Sequence, residues 1–170
     1  MCHKELNLKV LQNINFTDTK TIKAVSIDFI IKSDFLEPAE ITKKLGIKPT
    51  RAWAKGDKYL GKTKNVEKDI IEECWREKPW GIWAIDTNKI IKSKSIKKHI
   101  ELILNMLIPK KVVIKEYIND KSKYNICFYI LLETYNENDG FELESDILKK
   151  MSDLSHYVEF RFIFNEPNNE

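Results

Sequence analysis

The sequence lacks the features on which small secreted, metal-binding and membrane proteins rely. Its 170 residues include only three cysteines, Cys2, Cys74 and Cys127, which are widely spaced and form no Cys-x-x-Cys pair. Scattered cysteines of odd number indicate neither a disulfide framework nor a structural zinc site. No apolar run approaches the roughly 18 residues of a membrane span, and the first residues do not read as a secretory signal. We therefore expect a cytoplasmic protein without membrane contact.

Recognisable catalytic motifs are missing as well. With five glycines in the chain, we find no glycine-rich phosphate loop, no nucleophile elbow and no zinc-protease helix. The histidines His3, His99 and His156 are far apart, and the adjacent Cys2 and His3 lack the further ligands of a metal site. A lone surface histidine is more often structural than a general base. The sequence predicts no catalytic site, no metal and no cofactor.

The composition is that of a single globular domain with an uneven charge distribution. Apolar residues make up 42% of the chain and aromatic residues 11%, which is enough to bury a core without cross-links. Residues 40–64 hold eight basic and two acidic side chains, whereas residues 133–170 hold ten acidic and three basic ones. Such a dipolar molecule can attract an anionic partner to one end and a cationic partner to the other. Ordinary solvated surface explains the same pattern.

Hydrophobic periodicity predicts an α+β fold. Period-two and β-former patterns indicate strands at 23–32, 80–86, 124–135 and 157–164. Helical spacing indicates helices at 38–45, 65–75, 95–109 and 145–154. Residues 110–119 fit a helix or a strand equally well. We expect a two-layer sandwich with an about four-stranded, largely antiparallel sheet and helices packed on one face.

The predicted domain organisation is simple. Residues 1–20 form an N-terminal arm, residues 21–165 a single α+β domain, and residues 166–170 a polar tail. Within the domain, residues 58–79 are predicted to be an insertion or lid, because the chain there is polar at first and then helical in its spacing. The lid helix would begin at Asn65, and Val66, Ile70, Cys74 and Trp75 would share its inner face.

The stretch around the first predicted helix carries consistent start and stop signals. Pro38 suits the first helical position, and Glu40 complements the positive end of the helix dipole. Gly46 supplies the left-handed residue that ends the helix, and Ile47 can fold back on Ile41. These residues therefore belong to the architecture and not to a site.

The candidate site residues follow that helix. They are the polar and aromatic side chains of a structured loop together with two further tryptophans, namely Thr50, Arg51, Trp53, Lys55, Asp57, Trp75 and Trp80. Trp and Arg dominate the energetics of protein–protein contacts, which makes this set a candidate partner surface. Trp53 and Trp83 can equally be core residues.

A helix-turn-helix is one alternative for residues 41–58. Arg51, Lys55 and Lys58 would then point towards phosphates from a second helix. That helix would need an apolar residue where Lys55 stands, and Gly56 would end it almost as it starts. The flanking elements are also predicted strands, so we reject DNA reading by this motif.

The same stretch has the pattern Ile-Thr-x-x-Leu-Gly-Ile-x-Pro-Thr-x-x-Trp-x-Lys-Gly-Asp. Its matching positions are Ile41, Thr42, Leu45, Gly46, Ile47, Pro49, Thr50, Trp53, Lys55, Gly56 and Asp57, followed by Gly81, Ile82 and Trp83. From Val25 to Phe164 the chain resembles the bacterial family called domain of unknown function 4279. The resemblance implies an α+β fold and a bacterial or phage setting, and it supplies no activity.

Two functional hypotheses follow from the sequence. The first is a non-enzymatic binding protein, such as an immunity or defence-related inhibitor, that acts through protein–protein contacts. It depends on the absence of a catalytic set, the compact size and the polarised charge. The alternative is binding of a nucleotide or nucleic acid through the basic region from Lys48 to Lys64, with Trp53 available for stacking.

Overall fold

A computed structural model of the protein describes residues 21–65 and 70–166, and within them the chain forms seven strands and four α-helices. The strands are β1 (Ile22–Ser33), β2 (Arg51–Trp53), β3 (Lys58–Asn65), β4 (Ile70–Glu77), β5 (Gly81–Asp86), β6 (Asn125–Thr134) and β7 (Tyr157–Phe164). The helices are α1 (Pro38–Leu45), α2 (Ile96–Leu107), α3 (Lys111–Asn119) and α4 (Ser145–Ser152). The predicted α+β class is confirmed. The predicted arm, residues 1–20, lies outside the described residues.

The main sheet has five strands in the order β2-β5-β1-β6-β7. All neighbours are antiparallel except β6 and β7, which are parallel because the chain returns through α4 before it enters β7. The expectation of about four strands was therefore one too low. The missed strand is β2, which has only three residues and lies where the sequence predicted a loop. Its backbone pairs with β5, and a pairing of that length leaves no periodic signal.

The core lies between the helices and one face of this sheet. Alternate residues of β1, from Val25 to Ile31, are almost fully buried, and they share a core with β6 and with the inner faces of the helices. The rings of Phe29 and Phe128, which face each other across β1 and β6, have centroids 5.2 Å apart. The intervening residues of the strands, such as Ser26 and Asp28, point to the other face. Within residues 21–65 and 70–166 no helix packs on that second face.

Helix α1 has the bounds and caps that the sequence predicts. Gly46 adopts the left-handed conformation with φ of 64°, and its amide donates to the carbonyl of Thr42 at 2.8 Å. Ile41 and Leu45 are buried against the sheet. The indole Nε1 of Trp83, on β5, donates to Thr42 Oγ1 at 3.0 Å and so fastens the helix to the sheet.

The predicted helix at 65–75 was wrong, because the chain forms an antiparallel hairpin of β3 and β4 there. Residues four apart in sequence share one face of a strand as well as one face of a helix, so the apolar spacing of this segment did not discriminate between the two. Isoleucine and tryptophan in β4 favour a strand. Asn65 is the last residue of β3 and not a cap, and Val66 lies outside the described residues. Residues 110–119, which fitted either type, form a 3₁₀ turn and α3.

Gly81, at the start of β5, is expected not to tolerate a side chain. A Cβ at this position would lie 2.8 Å from Leu36 Cβ and 3.1 Å from the backbone oxygen of Ser33. Because backbone must move to relieve this overlap, Gly81→Ala is expected to lower the free energy of unfolding by about 1–3 kcal/mol. Gly140→Ala is the matched control, since a Cβ there meets no atom of the described part of the chain within 4 Å. Urea unfolding monitored by circular dichroism measures both, and equal stability of the two variants would contradict the prediction.

Candidate functional site

The helix-free face of the main sheet brings polar side chains of three strands together. Asp28 of β1 lies directly opposite Asp86 of β5, and Arg51 of β2 lies opposite Ala84 on the same strand. Ser26 is two residues before Asp28 on β1, and because residues two apart in a strand share a face, its side chain lies beside these three. The result is a cluster of Ser26, Asp28, Arg51 and Asp86, which we call the polar cluster.

Hydrogen bonds hold the polar cluster together. Arg51 Nη2 donates to Asp28 Oδ2 at 2.6 Å. The hydroxyl of Ser26 lies 2.9 Å from Asp86 Oδ1 and 3.1 Å from Asp28 Oδ1, so its proton can serve either carboxylate. Arg51 Nε is buried and has no partner among the described residues. Arg51 is thus engaged by one carboxylate and is not a free cation for a ligand.

The carboxyl group of Asp28 is strongly perturbed by its surroundings in this cluster. Burial raises the pKa of Asp28 from its ordinary 3.8 to about 6, although the nearby Arg51 guanidinium lowers it, and Asp86 adds to the rise. The ionised form is penalised because the side chain is almost completely shielded from water. Asp28 therefore changes its charge close to neutral pH.

Of the predicted residues, Thr50 and Asp57 serve the backbone. Thr50 Oγ1 accepts the amide of Asp86 at 2.7 Å and donates to the carbonyl of Ala84 at 3.2 Å, which anchors the start of β2 on β5. Asp57 Oδ2 accepts the amide of Ala54 at 2.8 Å, in a turn in which Gly56 has a φ of 86°. Both side chains shape the loop that the sequence singled out.

Lys55 and Trp53 lie near the same loop with partners of their own. Lys55 Nζ is 2.7 Å from Asp34 Oδ2 in a half-exposed ion pair. Trp53 is half-buried, and its indole Nε1 donates to the carbonyl of Trp80 at 3.1 Å. The ammonium group of Lys78 lies 4.2 Å from the centre of the Trp53 ring. The predicted loop residues therefore do not converge on one common ligand.

The hairpin of β3 and β4 presents the second group of candidate residues. Among the described residues its two strands pair with each other and with no strand of the main sheet. Leu60 and Trp75 are cross-strand partners, and Ile71 lies on the same face, four residues from Trp75 along β4. These side chains are 49%, 72% and 69% exposed, respectively. We call this surface the hairpin face.

Trp80 lies just before β5 at the base of the hairpin. Its ring is exposed, and the ammonium group of Lys32 lies 3.4 Å from the ring centre. The backbone hydrogen bonds of Lys78 with Gly56 (2.8 Å) and Asp57 (2.9 Å) close the hairpin beside it. The structure therefore places Trp75 on the hairpin and Trp53 and Trp80 at its base.

The model of a domain of unknown function, DUF4279, matches residues 21–165. The chain belongs to this family. No curated protein and no solved structure matches the sequence significantly. No helix among the described residues is long and apolar enough to cross a membrane.

The family motif of this DUF4279 chain is mainly architectural. Gly46 ends α1, Thr50 anchors β2, and Asp57 closes the turn before the hairpin. Trp83 is fully buried, so it is a core residue, one of the two possibilities that the sequence left open for it. The motif positions therefore do not indicate which side chains could contact a partner.

Two histidines of this DUF4279 domain are structural. His99, expected at the surface, is fully buried, with its ring nitrogens 2.6 Å from Thr87 Oγ1 and 2.9 Å from the carbonyl of Ser93. Burial lowers the pKa of His99, which favours the neutral ring. His156 accepts the amide of Ile126 through Nδ1 and lies with Nε2 against the carbonyl of Ile118. Both rings tie elements together and are not available as general bases.

Sequence reasoning missed most of the polar cluster. Ser26, Asp28 and Asp86 carried a signal, since they are polar residues in otherwise apolar strands. That signal was interpreted only as the solvent side of a half-buried strand. Asp28 is instead almost fully buried, because β2 and β5 bring Arg51 over it. Identifying the pair required the edge strand that the sequence did not reveal.

Proposed function

We propose that this chain is a non-enzymatic binding protein that contacts another protein through the hairpin face. The observation that supports it is the exposure of Leu60, Ile71 and Trp75 on one side of a hairpin that stands apart from the main sheet. Exposed apolar side chains that gather on one face in this way, here the neighbouring Leu60 and Trp75 with Ile71 beyond the pair of Lys62 and Glu73, are typical of sites of interaction. Tryptophan is also the side chain that most often dominates such contacts.

The energetics of the hairpin support a partner. An isolated two-stranded hairpin is at best marginally stable in water, because it has no layer to pack against. A partner that covers the hairpin face removes apolar area from water at about 25 cal/mol per Å². Lys62 and Glu73, 3.6 Å apart between the apolar side chains, already balance each other. The surface to be covered is therefore apolar with compensated charge, which suits a protein better than a polyanion.

The finer form of this proposal is an immunity or defence-related inhibitor that acts in the cytoplasm of a bacterium or in a phage-infected cell. An inhibitor needs no chemistry of its own, only a surface that occupies the site of its partner. Trp53 and Trp80 would extend the hairpin face at its base, where Trp80 is already exposed.

The phosphate-ligand alternative has less support in the geometry. Its two central cations, Arg51 and Lys55, each lie within 2.7 Å of a carboxylate oxygen, so a phosphate would have to displace Asp28 and Asp34. Tryptophan fluorescence discriminates between the two proposals. Nucleotide binding at low salt that weakens steeply with added salt and is lost in Arg51→Ala would favour the alternative.

The hairpin proposal is tested with a matched pair of variants. Trp75→Glu places a charge beside Leu60 on the hairpin face, whereas Val112→Glu places the same charge at an 80% exposed position of α3. We expect quantitative pull-down from a lysate of the source organism to identify proteins retained by the wild type and Val112→Glu but reduced at least about tenfold with Trp75→Glu, because a hot-spot loss exceeds about 2 kcal/mol.

Foldedness is checked for both variants by urea unfolding, and we expect near wild-type stability because both positions are exposed. Identical retained proteins for the two charged variants would contradict the assignment of the contact surface to the hairpin face.

A further inference from the structure

The last strand of the main sheet, β7, has an unusual edge. Its outer side pairs with no other strand of the described residues. Its sequence, Tyr-Val-Glu-Phe-Arg-Phe-Ile-Phe, contains no proline or lysine, residues with which proteins blunt such edges, and its two charged residues, Glu159 and Arg161, are of opposite sign. The opposite edge is protected, since β2 has only three residues and follows Pro49 closely. A long apolar edge of this kind is a template for pairing with another strand.

The side chains of β7 are also incompletely covered. Phe160 and Phe162 align with Ile130 and Leu132 of β6 and so point to the helical side of the sheet. Phe141 packs against both rings, with centroids 5.8 Å away. Phe160 nevertheless stays 44% exposed and Phe162 41% exposed, because the helical layer does not extend over the edge. The same edge therefore lacks both a backbone partner and a side-chain cover.

We propose that β7 pairs antiparallel with β7 of a second copy of this chain, across a two-fold axis perpendicular to the sheet. Such an axis reverses the strand direction and keeps both helical layers on one side. The two five-stranded sheets then become one continuous sheet. The phenylalanines of each copy lie next to those of the other and cover one another.

The charges of β7 select this partner and its register. The N–H and C=O groups of one residue point to one side of a strand, and those of the next residue point to the other side. Two opposite residues must both direct these groups towards the partner strand or both away from it, so in a symmetric antiparallel pair one residue stands opposite the same residue of the other copy. We say that this residue lies on the two-fold axis. With Phe160 on the axis, Glu159 of each copy faces Arg161 of the other. With Glu159 or Arg161 on the axis, two like charges face each other instead. Opposite charges across a strand pair stabilise it and like charges destabilise it.

The register with Phe160 on the axis also uses nearly the whole strand, since it pairs residues 157–163 of the two copies. Glu159 and Arg161 already attract each other within one strand at 3.4 Å. In the dimer each charge gains a second neighbour of opposite sign. The edge is thus complementary to itself in charge, in side-chain face and in backbone direction.

Light scattering coupled to size-exclusion chromatography of the full chain tests the proposal. We expect a dimer with a mass of twice 20.1 kDa, which dissociates on dilution. Arg161→Glu is expected to raise the dimer dissociation constant roughly 10- to 100-fold, because two attractive cross-strand pairs become repulsive. The exchanged variant, Glu159→Arg with Arg161→Glu, restores complementarity and is expected to restore the dimer. Val112→Glu, on α3, is the control and leaves the dimer unchanged.

Three outcomes would overturn this inference. The first is a mass of 20.1 kDa at every concentration up to the solubility limit. The second is a dimer that Arg161→Glu does not weaken, or that the exchanged variant does not recover. The third is a monomer in which the outward amides of β7 exchange slowly with deuterium, which would assign the edge to another segment of the same chain. Circular dichroism of each variant confirms that it is folded.

Discussion

Trp83→Ala is expected to lower the free energy of unfolding by about 3–5 kcal/mol, the range for truncation of a large buried aromatic side chain. The Trp83 side chain is fully buried, and its indole fastens α1 to the sheet through Thr42. Truncation leaves a cavity between the helix and β5 and removes that hydrogen bond. Urea unfolding followed by far-ultraviolet circular dichroism measures the loss.

Trp75→Ala is the matched control for this prediction, because it removes the same side chain from a 72% exposed position. The free energy of unfolding should change by no more than about 0.5 kcal/mol. A loss of similar size in the two variants would mean that Trp75 is covered in the folded protein and would contradict the exposure of the hairpin face.

The second large effect concerns the ion pair of Arg51 and Asp28. Arg51→Met is expected to destabilise the protein by about 2 kcal/mol at pH 7.5, below the range for a fully buried pair because the Arg51 side chain is partly exposed. Without the guanidinium, the ionised Asp28 loses its main counter-charge and keeps only the weaker attraction of Lys89. At pH 5 the loss is expected to be smaller, since Asp28 is then largely protonated and needs none.

The sign of this pH dependence follows from the raised pKa. Because Asp28 titrates at about 6 in the folded state and at an ordinary 3.8 when unfolded, the folded state binds more protons between these values. Asp28 therefore stabilises the fold most below pH 3.8, and this contribution is lost as the pH rises through 6. The difference between these two pKa values corresponds to a loss of about 3 kcal/mol in the free energy of unfolding.

Asp28→Asn serves as the reference for this measurement, because it removes the titrating group and keeps its size. Unfolding free energies are compared between pH 4 and pH 7.5 for the wild type, Arg51→Met and Asp28→Asn. The wild type should lose stability relative to Asp28→Asn as the pH rises. A difference that stays constant would show that Asp28 titrates at its ordinary pKa.

Local signals were sufficient to predict much of the fold. The ends of α1 follow from Pro38 and Gly46, two residues whose backbone preferences act within one helical turn. Strands β1 and β6 follow from the side-chain alternation and the apolar content of single segments. In these cases the burial that stabilises an element is encoded in the element itself, and no knowledge of its neighbours is needed.

The remaining features depend on contacts between distant segments. Arg51 and Asp28 are 23 residues apart and meet only because β5 lies between β2 and β1. The hairpin of β3 and β4 was mistaken for a helix because its apolar spacing fits both. The exposure of β7 could not be predicted either, since its alternation is that of a covered strand and only the position at the edge leaves it uncovered.

The place of β1 in the sheet also bears on the order in which the molecule can form. This strand is central, yet both of its neighbours come much later in the chain: Asp28 pairs with Asp86, and Ile27 pairs with Ile130. During synthesis β1 leaves the ribosome long before β6 exists. Strands that are so far apart in sequence pair slowly, because the conformational entropy of the intervening chain is lost before the new contacts stabilise the pair. Most of the chain must therefore be synthesised before the main sheet can form around β1.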